Sequence, residues 1–288
     1  IVSSNSNNSV AKIGDTITLS FTADETLSST PTVSFSNVSG AITVTNTSGN
    51  SYTATHTVQS GDQNGSLQFT IDFTDSAGNA GTQVTNTTNY SSVTIDTIAP
   101  TNQNDIFGSN NRSVKGGDPV TISSSVSNGG ANSDNVWLAP AGTTSFSASQ
   151  NMTTTTGSSN NIIAPANENN YKLYVIDAAG NVSTSSTATL TVDNIEPILG
   201  SVTVVSSDSN ISSATVGSTI TLSFTADETL LNTPTVVFLG TSDTVTVTNT
   251  SGNSYTATYI VQPGDQNGPL QFTIDFTDYA GNAGTQVK

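Results

Sequence analysis

Cysteine is absent from the 288 residues, which removes disulfides, thiolate metal sites and thiol catalysis together. Basic residues are nearly as scarce: 5 Lys and Arg stand against 21 Asp and Glu, a net charge of −16. Nucleic acids and anionic membranes both need Lys and Arg to neutralise phosphate, so neither is an expected partner. No stretch approaches the roughly 20 apolar residues of a membrane helix, so no insertion of this segment is expected. A basic region followed by an apolar core, the mark of a signal peptide, is also missing. His56 is the only histidine and Trp137 the only tryptophan. Without a second histidine or any cysteine, zinc sites and nucleophilic triads are excluded. His56 is expected on a strand at the sheet surface, and Trp137 in a core, with stacking on a sugar as its alternative.

Charged residues make up only 9% of the chain, so Ser, Thr, Asn and Gly must build most of the surface. The sequence is also highly repetitive. "FTIDFTDSAGNAGTQV" begins at Phe69, and "FTIDFTDYAGNAGTQV" begins 203 residues later at Phe272. A shift of that size aligns Ile1 with Val204 and Thr85 with Lys288 without a gap. A weaker copy, "YVIDAAGNVSTSS", starts at Tyr174. Each period therefore holds two related units of about 100 residues, the size of a small sandwich domain.

Within the units the apolar pattern has a period of two. "DTITLSFTA" (15–23) places Ile17, Leu19 and Phe21 on one face, and "LQFTIDFTD" (67–75) does the same with Leu67, Phe69, Ile71 and Phe73. Turn signals such as "SGN" and "SGDQNG" separate about seven short strands per hundred residues. No helical stretch is expected. The fold class is all-β: three tandem immunoglobulin-like β-sandwich domains forming an extended rod. The expected domains are 1–97, with its first strand truncated; 98–194, a divergent copy; and 195–288, with its last strand truncated. The joining segments "VTIDTIAPT" and "LTVDNIEPIL" pass from a strand through one Asp to a proline, which makes them short and stiff.

"DETL" after a strand, "TDSAGN" at a hairpin and "VTIDTIAPT" as a linker resemble the tandem immunoglobulin-like repeats of bacterial and archaeal surface adhesins and S-layer-type proteins. The resemblance covers all three units and implies an extracellular, cell-surface setting.

In such a sandwich the loop after 15–23 and the hairpin after 67–74 lie at the pole where the linker enters. That brings Asp24, Glu25 and Asp75 together in domain 1. In domain 3 it brings Asp227, Glu228 and Asp278 together, joined by Asp193 from the linker. Carboxylates converging at one joint repel unless a cation sits among them. Calcium, which takes six to eight oxygens in loose geometry, suits them best, and the resemblance implies Ca2+ at such joints. At the first joint the corresponding set is Asp96, Asp177 and the loop residue Asp134. Domain 2 lacks the "ADET" motif, so a weaker site or none is expected there. The competing reading makes D-x-A-G-N a tight hairpin and nothing more.

Three functions remain open. The first is a non-catalytic extracellular stalk of stacked modules adding about 40 Å each. The second is a self-assembling filament or S-layer subunit that pairs open strand edges with identical subunits. The third is glycan binding through domain 2, with host or surface glycans as partners. Triplets at Asn37, Asn46 and Asn249 permit glycosylation, but chance yields about as many in a chain of this composition. Paired carboxylates for glycoside hydrolysis would need a cleft that small sandwiches rarely offer.

Overall fold

A computed structural model describes residues 1–241 and 243–288. Three hydrophobic cores follow one another along the chain, drawn from 1–95, 106–192 and 199–287. Each is enclosed by β-sheets, so the chain is three immunoglobulin-like sandwiches in tandem.

In unit 1 one sheet runs in the order Val2–Ser3, Thr16–Thr22, Ser51–Thr57, Thr43–Ser48. Opposite it, Thr32–Phe35 pairs with Phe69–Asp72. Beside these, Thr94–Ile95 lies parallel to Val10–Ala11 and antiparallel to Gly65–Ser66. Alternation decides which side chains meet: Ile17, Leu19 and Ala54 from the first sheet pack on Val33, Phe35, Ile71, Val93 and Ile95 from the second. Unit 3 repeats the plan, with Leu199–Ser206, Thr219–Ala226, Ser254–Ile260 and Thr246–Ser251 in one sheet and Thr235–Leu239 paired with Gln271–Asp275 in the other. Even the aromatic stack returns, with ring centroids 5.6 Å apart in both Phe21–Tyr52 and Phe224–Tyr255. The second Gly of "AGNAG" has a packing cause. A Cβ on Gly284 would stand 2.0 Å from the ring of Phe276, and one on Gly81 would stand 2.1 Å from that of Phe73.

Unit 2 shifts its weight to a five-stranded sheet in the order Arg112–Val114, Leu190–Val192, Asn169–Ile176, Asn135–Pro140, Thr153–Thr156. Its other sheet is only Pro119–Thr121 with Asn161–Ile163. A one-turn helix, Gln103–Phe107, corrects the expectation of a helix-free chain. It places Ile106 and Phe107 in the core, and Arg112 lies over the Phe107 ring, 5.1 Å from its centroid. Five residues are too few to show a helical period.

Two side chains depart from their expected places. His56 is not at a sheet surface. It points inward in register with Ala54 and is 3% exposed, with Nε2 2.7 Å from Asp62 Oδ2 and Nδ1 3.3 Å from the Ala41 carbonyl. In unit 3 the same place holds Tyr259, whose hydroxyl donates to Asp265 at 2.7 Å. Trp137 lies outside the main core. Val136 and Leu138 point into it, so parity turns Trp137 to the outer face, half-buried against Phe146, which in turn meets Tyr174 edge-on.

Burial pushes the Asp62 carboxyl up, but bonds from His56, the Ser39 and Gln59 amides and the Ser39 hydroxyl more than offset this and hold it below its ordinary 3.8. A carboxylate with a depressed folded value stabilises the fold above its unfolded value and loses that contribution as pH falls through the folded one. Asp62→Asn should therefore cost unit 1 about 2–3 kcal/mol at neutral pH, and the cost should shrink below pH 3.8. Urea unfolding at several pH values measures this. His56→Tyr, which imports the unit 3 pairing, should be tolerated.

Candidate metal centre at the joints

Each D-x-A-G-N hairpin is organised by its own aspartate. Asp278 Oδ1 accepts the main-chain N–H groups of Gly281 and Asn282 at 2.7 Å, and Oδ2 accepts the Asn282 side-chain amide at 2.7 Å. Gly281 takes the positive φ, +97°, that the turn requires. Asp177 and Asp75 hold Asn181 and Asn79 in the same way.

The asparagine does a second job. Asn181 Nδ2 also donates to the Asp96 carbonyl at 3.0 Å, and Asn282 Nδ2 to the Asp193 carbonyl at 3.0 Å. The hairpins of units 2 and 3 are thereby tied to the linkers that enter those units. The hairpin reading and the joint reading describe the same residues.

At the second joint, Asp193 follows the strand Leu190–Val192, Glu228 follows Thr219–Ala226, and Asp278 follows Gln271–Asp275. One carboxylate oxygen from each of the three lies within 4.8 Å of the other two. Asp278 is fully buried, while Asp193 and Glu228 are half-buried. Burial raises the Glu228 carboxyl above its usual 4.5, and the charges of Asp278, Asp193 and Asp227 add to the shift. Asp227 does not join the group: its Oδ1 accepts the Ile198 amide at 2.8 Å, which pins the linker instead.

The first joint is poorer in carboxylates. Burial pushes Asp177 up, and Asp96 nearby adds to this against the bonds from Asn181 and Ala179. Asp134, buried at 4% exposure, accepts from the Ser125 hydroxyl and from the Ala131 amide at 2.8 Å, so it braces its own loop. Among the described residues no third acidic group closes on Asp96 and Asp177, and none on Asp24, Glu25 and Asp75. Asp24 and Glu25 are exposed. Asp75 is held low by the Asn79 side chain, then by its amide. Sequence reasoning missed Asn5 and Lys12, which reach across the first joint to the carbonyls of Ala179 and Gly180. No local pattern marks them, because their partners lie more than 160 residues away.

No family model matches the chain, and no curated protein does. Solved structures give distant similarities. The Dpr2 Ig1-Ig2 complex with DIP-Theta Ig1-Ig3 is 11% identical over 100% of this chain and 99% of that one, with a TM-score of 0.30. A tetra-tandem repeat in the extending region of a large adhesion protein is 18% identical over 96% and 72%, with a TM-score of 0.25. The sialic acid binding region of the Streptococcus sanguinis SK1 adhesin, bound to 3'sLn, is 11% identical over 96% and 73%, with a TM-score of 0.26. With similarity this distant, the fold rests on the chain's own sheets. No helix among the described residues is long and apolar enough to cross a membrane.

A carboxyl with a raised folded value opposes folding while ionised, and that penalty is relieved as pH falls through the raised value toward the ordinary one. In chelator, the unfolding midpoint of unit 3 should therefore rise as pH is lowered from 7 toward 4.5, with Glu228 supplying part of the rise. Glu228→Gln should remove that part. An identical pH profile in the two proteins would refute the assignment.

Proposed function

We propose that the chain is a non-catalytic, extracellular spacer of a cell-surface adhesive or structural protein, with Ca2+ stiffening the joint between units 2 and 3. One observation carries the metal: Asp193, Glu228 and Asp278 place hard oxygens within 4.8 Å of one another. Oxygens around a calcium ion at about 2.4 Å each stand up to about 4.8 Å apart, so the spacing suits one ion. The three ligands come from the linker of one unit and two loops of the next. An ion bound there links the units and relieves the mutual repulsion of the acids. The near-identity of units 1 and 3 suits a spacer, which needs number rather than diversity.

Isothermal titration with calcium, or terbium luminescence, tests the site. The chain should bind one ion tightly at this joint, and Glu228→Gln should weaken it by at least about tenfold. Glu228 is the informative position because its side chain holds no turn together, whereas Asp278 does. Affinity should also fall as pH drops toward 4.5, since the ion must displace the Glu228 proton. Binding unchanged by the substitution would remove calcium from this joint.

A further inference from the structure

The two joints are built differently, and the difference lies in Lys12 and Asn5. Lys12 Nζ donates to the Gly180 carbonyl at 2.6 Å, and the Asn5 amide donates to the Ala179 carbonyl at 2.9 Å. Both acceptors sit in the hairpin of unit 2, immediately before the Asn181 that ties that hairpin to Asp96. Asp15 aims the pair, its Oδ2 accepting from the Asn5 side chain at 2.7 Å and from the Lys12 main chain at 2.9 Å. The ammonium-to-carbonyl bond is charge-assisted and half shielded from water, which makes it stronger than a neutral one. Gly180, at φ +83°, leaves room for the approach: a Cβ there would stand 3.1 Å from Lys12 Nζ.

At the second joint, among the described residues, only the asparagine bond, Asn282 to Asp193, returns. Unit 2 repeats the turn that presents Lys12. Asp118 N donates to the Lys115 carbonyl at 3.2 Å, as Asp15 N does to that of Lys12 at 3.0 Å. Among the described residues, however, Lys115 donates no bond across the joint to the 279–281 segment. Three carboxylates gather there instead. Unit 3 has abandoned the device altogether. Asp208 stands where unit 1 has Asn5, and it accepts from Thr215 and Ser218, which replace Lys12 and Asp15.

We infer that Asn5 and Lys12 form a metal-independent lock on the unit 2 hairpin, so that the first joint keeps its geometry when divalent ions are withdrawn while the second loosens. Lys12 is a positioning residue whose ammonium holds, by protein contacts alone, what the second joint holds through a bound ion. The claim about the second joint rests on the calcium reading; the lock at the first does not. The chain thus joins a permanently stiff pair of units to a third whose orientation responds to cation supply.

Because the chain has no cysteine, single nitroxide labels can be placed at will. Labels at the exposed positions Ser34 and Thr154 span the first joint, and Thr154 with Thr248 span the second. Pulsed electron paramagnetic resonance then reads each distance distribution in calcium and in chelator. The first should be narrow in both, and the second should broaden in chelator only. Lys12→Met should broaden the first under both conditions without touching the second, and Lys12→Arg, which can still donate to Gly180, should restore it. Asn5→Ala, which removes the other bond, guards against a folding defect peculiar to Lys12→Met and should broaden the same distribution. A first distribution that broadens in chelator, or that stays narrow in both Lys12→Met and Asn5→Ala, overturns the lock. A second distribution indifferent to chelator overturns the contrast and the calcium reading while leaving the lock standing.

Discussion

The joints depend on a carboxylate captured by its own turn. In Asp177 and Asp278 the side chain accepts the amides that follow it, which fixes the asparagine two bonds further round the hairpin so that its remaining N–H points at the linker. Remove the turn and the linker carbonyl loses its donor. Keep the turn and the acidic residues of neighbouring loops arrive at fixed distances. Local backbone chemistry thus sets the spacing between modules, and the charges at the joint are consequences of it.

Much of the fold was legible from alternation alone. Ile17, Leu19 and Ile71 are buried as the period of two requires, and the three cores occupy the repeating segments. Alternation also carried information that residue type obscured. In Ser51–Thr57 the inward positions are Tyr52, Ala54 and His56, so parity placed the histidine inside even though its polarity suggested otherwise. The same parity turned Trp137 away from the core shared by Val136 and Leu138. A helix of one turn left no trace in the pattern, and its burial follows from two large apolar residues, Ile106 and Phe107, that no strand of unit 2 replaces.

The site was legible only as far as topology could reach. Strand order brings linker, loop and hairpin to one pole, which groups Asp193, Glu228 and Asp278. Topology says nothing about which carboxylates are engaged by backbone amides. Asp227 differs from its neighbour Glu228 by one position, yet it points at the Ile198 amide, and Asp134 turns back into its own loop. The residues across the first joint were invisible for the opposite reason: their polar groups look like any surface Asn or Lys until the next unit is placed against them.

The pairing of terminal strands has a mechanical consequence. In unit 1 Val10–Ala11 runs parallel to Thr94–Ile95, and in unit 2 Arg112–Val114 runs parallel to Leu190–Val192. The members of each pair come from the early and the last part of their unit's sequence, with Val2–Ser3 preceding the pair in unit 1, so tension carried through both slides the two strands past each other. Their hydrogen bonds then bear load together instead of opening one after another from an end. Under a pull the joint between units 2 and 3, tied by the bond from Asn282 to the Asp193 carbonyl, would yield before the joint between units 1 and 2, which Asn5 and Lys12 also span.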